Sequence, residues 1–223
     1  MTTTTAPPST SSAHPSALLI GATGLVGQQC LQCLAQDPFF ASVKVLVRRP
    51  LSIDSAKVQV HVVDFDRLEA QPEWLAVDAV FCALGTTIAK AGSQAAFRQV
   101  DFDYPLQVAQ LAKAQGTRHF LLVSATGADA RSRVFYSRVK GELEEAIVAL
   151  GFESVTFAQP SLLAGDRAEV RLAERIGLAF GWLLPERYRP VQARQVAQGL
   201  VRAAKRALPG VQRLSNIELR RLS

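Results

Sequence analysis

Short apolar runs recur along this chain, and between them apolar residues return every three or four positions. The runs at 18–20, 43–47, 58–63, 79–82, 120–123 and 155–158 are rich in Val, Leu, Ile, Phe and Ala. Near-continuous apolar runs of this length predict strands buried on both faces. The helical spacing predicts long helices over 25–36, 93–114 and 133–150, with weaker patterns at 169–181 and 192–207. Strands alternating with helices predict an α/β fold, a doubly wound parallel sheet covered on both sides. One Rossmann-like domain is expected over 17–223, with a small C-terminal substrate-side region mainly at 160–190. Residues 1–16 are Thr, Ser, Pro and Ala with no apolar block, which predicts a disordered tail and not a secretory signal.

The first run leads into Gly21-Ala22-Thr23-Gly24-Leu25-Val26-Gly27, which in turn opens a helical pattern. Strand, glycine-rich turn and helix is the layout that holds a dinucleotide pyrophosphate on a helix N-terminus. Gly21 allows a tight turn, Gly24 a close phosphate and Gly27 close packing of helix on strand. Thr23, Leu25 and Val26 complete the turn. The spacing is GxxGxxG; taken by itself it fits a plain strand–turn–helix as well.

Composition changes this picture little. The chain has 223 residues, 48% hydrophobic and 20% charged, with a net charge of +6. That charge favours acidic ligands such as phosphates, while the scattered Lys and Arg do not form a nucleic-acid patch. No run reaches the ~18 to 20 apolar residues of a membrane span. Cys30, Cys33 and Cys82 predict reduced thiols in a cytoplasmic protein. Cys30-Leu31-Gln32-Cys33 matches CxxC, but Val26, Cys30, Cys33 and Leu34 share one helix face, so buried structural cysteines are expected. His14, His61 and His119 are isolated, so no metal is expected. A homodimer is the assembly this reading leaves open.

Candidate chemistry gathers at the strand ends. Arg48-Arg49 follow the second strand, where an NAD-specific protein carries an acid for the ribose 2′-OH. Two guanidinium groups there fit a 2′-phosphate and so NADP(H); the plain alternative is two exposed arginines before a proline turn. Asp64-Phe65 after the third strand are candidates to lie against the adenine. Leu84, Gly85 and Thr86 follow the fourth strand, within reach of ribose or pyrophosphate. Ser124 ends the fifth strand, with Thr126 as a less well placed substitute. Tyr136 and Lys140 are i, i+4 on a helix and share a face with Leu143, Ile147 and Leu150, so the lysine falls on the core stripe.

That pair reads as a proton donor and its activator. A free Tyr titrates near 10, and lowering it to about 7 requires ~4 kcal/mol. One cation ~4 Å away supplies about that at an effective dielectric near 20. Lys140, together with an oxidised nicotinamide, would then suffice to activate Tyr136. Ser124 would orient a substrate carbonyl.

Together these residues resemble the short-chain dehydrogenase/reductase superfamily over about 17–207. The Thr23-Gly24-Leu25-Val26-Gly27 core, the Tyr136…Lys140 pair and Ser124 are specific as a set. The GATGxxG spelling resembles the atypical and extended branches. Cys82-Ala83-Leu84-Gly85-Thr86-Thr87, Val100-Asp101-Phe102-Asp103-Tyr104 and Ser124-Ala125-Thr126-Gly127-Ala128-Asp129 look closer to the Tat-interacting-protein-like oxidoreductases and their bacterial relatives. The resemblance implies NADPH binding, with Ser124, Tyr136 and Lys140 in the catalytic positions and Lys140 also on the nicotinamide ribose. Pro160 is similar to the family's proline near the nicotinamide, and Leu162-Leu163 would pack by that ring. Asp101 stands where the superfamily often has an Asn, and the chain after Pro160 is short for an extended epimerase. The expected function is NADPH-dependent reduction of a small-molecule carbonyl. A cofactor-binding regulator or scaffold is the alternative, and a nucleotide-sugar epimerase a weaker one.

Overall fold

The computed structural model describes residues 14–164 and 185–222. The apolar runs become β1 (Ser16–Ile20), β2 (Ser42–Val47), β3 (Val58–Val62), β4 (Ala79–Cys82), β5 (His119–Val123) and β6 (Ser154–Gln159). Two short strands, β7 (Leu163–Ala164) and β8 (Val191–Gln192), pair with each other in parallel. A further strand, β9 (Gly210–Ser215), completes a seven-stranded sheet in the order β3-β2-β1-β4-β5-β6-β9. Every pairing in it is parallel. The order reverses between β1 and β4, and the crevice outside that switch point is where such sheets take ligands.

Side chains on successive strand positions point to opposite faces. Ala17 and Leu19 join a core with Val26, Leu34, Val196 and Leu200, under α1 (Leu25–Gln36) and α6 (Ala193–Arg206). Leu18 and Ile20 join the other, with Val108, Leu122, Leu143 and Ile147, under α4 (Tyr104–Ala114) and α5 (Phe135–Ala149). β1 is thus buried on both sides, as its unbroken apolar spelling requires. Cys30 is buried and Cys33 half-buried, both unbridged; burial pushes both thiols up. Ser16, expected in the tail, opens β1, with its amide and hydroxyl both donating to Asp78 Oδ2 at 2.8 and 2.9 Å. The rest of the expected tail, up to residue 13, and the helical pattern at 169–181 lie outside the described residues.

Two expectations are corrected. The helix expected over 93–114 is interrupted. It forms as α3 (Gln94–Arg98), a π-helical turn (Gln99–Asp103) and α4, preceded by a separate short helix, α2 (Ile88–Ala91), that ends at Gly92. The cause is Pro105. It has no N–H to give the carbonyl of residue 101, four back, so the ladder slips and the Tyr104 amide reaches Gln99 O instead. The second concerns the C-terminal end, where no strand was expected after 207. β9 and a short helix α7 (Asn216–Arg220) form there. β9 is a largely exposed edge strand carrying Gln212 and Arg213, so it lacks the apolar density that marks the inner strands.

His119 opens β5 at the opposite end of the sheet from the crevice. Its ring is 4% exposed, with Nε2 3.0 Å from Thr156 Oγ1. Burial pushes it down to about 4. A buried neutral histidine must take up a proton on unfolding, so its contribution is intact above the unfolded value near 6.5 and is lost as pH falls from there to about 4. The loss at pH 4 amounts to about 3 kcal/mol. Urea unfolding across pH 7 to 4 should show a steeper decline for the wild type than for His119→Gln. Equal pH slopes would remove His119 from the account.

Candidate active site

The glycine turn is set by backbone contacts. Gly21 has φ +81°, and a Cβ there would lie 2.4 Å from the Ala83 carbonyl, in the chain leaving β4. A Cβ on Gly27 would lie 2.0 Å from the Gly21 carbonyl oxygen. These two glycines join β1, α1 and the end of β4 in one contact. Gly24 differs: a Cβ there would meet its nearest atom, Gly21 O, at an ordinary 3.4 Å. Gly24 is the N-cap of α1, and no side chain caps that helix. The first N–H groups of α1 have no intrahelical partner and are available to an anion.

The other wall comes from α5. Gly141 brings the preceding loop against the helix, since a Cβ there would lie 2.2 Å from Ala130 N. The Asp129 amide also donates to Ser137 O at 3.0 Å. This clamp sets the first turns of α5 and so the position of Tyr136, whose ring is 36% exposed and tilted against Phe97. One turn on, Lys140 is buried, with Nζ 2.8 Å from Asp101 Oδ1. Asp101 Oδ2 accepts the Thr86 amide at 2.8 Å. Burial alone would pull the Lys140 ammonium down, but the charges of Asp101 and then Tyr136 outweigh it and hold the group above its ordinary range. A side chain on Gly85 would begin 3.5 Å from Asp101 Oδ1 and 3.9 Å from Lys140 Nζ, so the glycine leaves that ion pair open to the crevice.

Lys140 was expected to act on Tyr136 as a cation, and a counter-charge lies 2.8 Å from it. The π-helical turn is what swings Asp101 inward, and sequence spacing alone did not show that.

Ser124 is 4% exposed, and its hydroxyl donates to Glu144 Oε1 at 2.5 Å. Glu144 also accepts from Gln159 Nε2 at 2.9 and 3.2 Å, and Arg213 Nε lies 3.6 Å from its Oε2. Thr126, the expected substitute, donates its hydroxyl to Gln159 O at 2.8 Å. Glu144 was missed in the sequence, although Tyr136, Lys140 and Glu144 recur at i, i+4 and i+8. An acid on an apolar stripe was the available signal.

These groups surround a cleft of about 490 Å³ at the carboxyl ends of the inner strands. Gly24, Leu25 and Val26 line one side, and Leu84, Gly85 and Thr86 the floor. Ser124, Tyr136, Lys140, Pro160 and Leu162 line the other side. Thr23 is exposed at the turn, and its carbonyl accepts from Gln28 Nε2. Arg48 and Arg49 are exposed beyond β2. The field of Arg48 reaches the Tyr104 hydroxyl, which donates to Asp66 at 2.9 Å. Asp64 caps a 3-10 turn by accepting the Asp66 amide at 3.0 Å. Phe65 departs from expectation: its ring is buried in the core, 5.3 Å from Tyr104, and is not presented to an adenine. Among the described residues no three His, Cys, Asp or Glu side chains cluster as a metal would need.

A parallel sheet with an uncapped glycine turn at its switch point is the architecture of a dinucleotide-binding Rossmann protein. The NAD(P)H-binding family model matches residues 21–174, and the chain belongs to that family. It is 38% identical over 177 residues to protein HTATIP2 of Rattus norvegicus, covering 78% of this chain and 73% of the relative. It is 31% identical over 206 residues to protein FMP52, mitochondrial, of Candida albicans, covering 87% and 90%. In fold it is similar to a short-chain dehydrogenase family protein of Francisella tularensis, with TM-score 0.68, 13% identity and coverage of 92% and 99%. It is similar also to MoeE5 in complex with UDP-glucose and NAD, with TM-score 0.71, 14% identity and coverage of 89% and 75%.

The two glycines that differ in environment should differ in substitution. Gly27→Ala should lower stability by about 1–3 kcal/mol through overpacking. Gly24→Ala should stay within about 1 kcal/mol of wild type. Chemical denaturation of both variants decides this, and equal losses would contradict the assigned contacts.

Proposed function

We propose that the protein is an NADPH-dependent oxidoreductase that reduces a carbonyl of a small molecule. The observation that carries this reading is one cleft holding the uncapped start of α1 on one side and Tyr136 and Lys140 on the other. The residues present fit a nicotinamide dinucleotide. Gly24 leaves room at the helix start for a pyrophosphate, and Gly85 leaves Lys140 open toward a ribose. Arg48 and Arg49, exposed past β2, would meet a 2′-phosphate. When bound, the reduced cofactor supplies hydride to the carbonyl carbon.

The chain's own residues then handle the proton. Tyr136 gives its phenolic proton to the carbonyl oxygen and recovers one from solvent, and Lys140 steadies the tyrosinate and holds ribose hydroxyls. Ser124 orients the carbonyl by turning its hydroxyl from Glu144 to the substrate oxygen. Gln159 and Arg213 keep Glu144 partnered while it does so, which limits the cost of that turn. Three free thiols fit a reducing compartment, which includes the cytoplasm expected from the sequence. No helix among the described residues is long and apolar enough to cross a membrane.

A second reading has its own observation. Ser124 is tied to Glu144 and Lys140 to Asp101, so the catalytic groups of the resting cleft are already partnered. A regulator that binds NADP(H) and does little chemistry would look the same.

Two measurements separate these readings. Calorimetry should show NADPH binding at least about tenfold tighter than NADH, one charge-assisted contact being about 1.4 kcal/mol or more. Arg48→Ala with Arg49→Ala should erase most of that margin; equal wild-type affinities would sink the 2′-phosphate reading. A screen of aldehydes and ketones following NADPH absorbance should find turnover that falls about 100-fold or more in Tyr136→Phe. Binding without turnover would leave the regulator, and turnover indifferent to Tyr136→Phe would remove the proton-donor role.

A further inference from the structure

The Lys140–Asp101 pair is the most deeply buried charge pair among the described residues, with side-chain exposures of 4% and 1%. The reaction as outlined gives Asp101 no task. A carboxylate placed there without one would be a poor arrangement, because burying two charges costs several kcal/mol in desolvation. We propose that Asp101 is a positioning residue that sets the proton affinity of Tyr136 by balancing the charge of Lys140, keeping the phenol protonated while the cleft holds no second cation. This deepens the proposed function and rests on Tyr136 as the proton donor.

The geometry carries it. Two opposite charges 2.8 Å apart act on a third group mainly as a dipole, whose effect falls faster with distance than that of a lone ammonium. Tyr136 lies one turn from Lys140 on the same face and within its electrostatic reach. Asp101 is fixed from its other side by the Thr86 amide, so it cannot swing away from the lysine without leaving that donor unpaired. The π-helical turn that places it there is enforced by Pro105.

The other charged or titratable groups around the pair do not take its part. Cys82 on β4 is pushed up to about 12 by burial and stays neutral. Arg98 and Glu142 pair with each other on the outer side of α5. Glu144 is held by Ser124, Gln159 and Arg213, one further turn along. Lys90 and Tyr188 line the open side of the cleft, where solvent screens them. A reductase benefits from this balance. Its donor must carry a proton before hydride arrives, and a bare lysine beside the phenol would strip that proton too early.

The experiment titrates the phenol itself in the full chain, without cofactor or substrate. Tyrosinate absorbance near 295 nm is followed with pH, and the difference between each protein and its Tyr136→Phe counterpart isolates Tyr136 from the other two of the three tyrosines. Asp101→Asn keeps an acceptor for the Thr86 amide but removes the charge. It should lower the midpoint for Tyr136 by about one pH unit or more. Asp101→Glu keeps the charge and should leave the midpoint within about half a unit of wild type. An unmoved midpoint in Asp101→Asn overturns the proposal, as does an equal shift in Asp101→Glu. Should Asp101→Asn fail to fold, Asp101→Ser is titrated in its place under the same criteria. Turnover is not needed for any of this, so failure to find a carbonyl substrate counts against the proposed function and not against the role of Asp101.

Discussion

The missing side chain of Gly27 is the contact on which the rest of the molecule depends. A Cβ there would sit 2.0 Å from the Gly21 carbonyl oxygen, and one on Gly21 would sit 2.4 Å from the Ala83 carbonyl. β1, α1 and the chain leaving β4 can therefore meet backbone to backbone. That meeting point is the switch point of the sheet. It aims the start of α1 into the crevice where such sheets take their ligands. Without it, the strand ends on the two sides of the switch would be held apart by side chains.

Across the crevice the same device is used once more. Gly141 lets the 125–133 loop lie directly on α5, which fixes the first turn of the helix and with it Tyr136. The polar side chains behind the cleft are then organised as two buried partnerships. Lys140 is matched by Asp101 from the π-helical turn, and Ser124 by Glu144 from the next turn of α5. Each neutralises or occupies a group that would otherwise face a low-dielectric cleft with an unmatched charge or proton. The resting site is electrostatically balanced.

The inner strands were legible because strands buried on both faces must be apolar at nearly every position, and the half-exposed edge strand β3 was expected from its recurring valines despite Gln59 and His61. β9 was not, because Val211 and Leu214 are its only apolar side chains, with Gln212 and Arg213 between them. The helix over 93–114 was expected as one piece, since apolar periodicity survives a single wide turn. Pro105 was the visible sign that its ladder could not be continuous. Phe65 was placed against a ligand because it follows a strand end. Its ring instead joins the core with Leu18, Ile20 and Leu46 and packs on Tyr104, contacts that no local pattern reveals.

The sequence by itself determined the alternation of strand and helix, the glycine turn, and the Tyr136…Lys140 face of one helix. These are local: each depends on residue type and on a spacing of two to four positions. Only the tertiary structure decided which charges meet. Asp101 and Lys140 are 39 residues apart in sequence, and Ser124 and Glu144 are brought together by a strand and a helix packed on each other. Coulomb energy and hydrogen bonding depend on ångströms between groups, and that distance is set by packing rather than by periodicity.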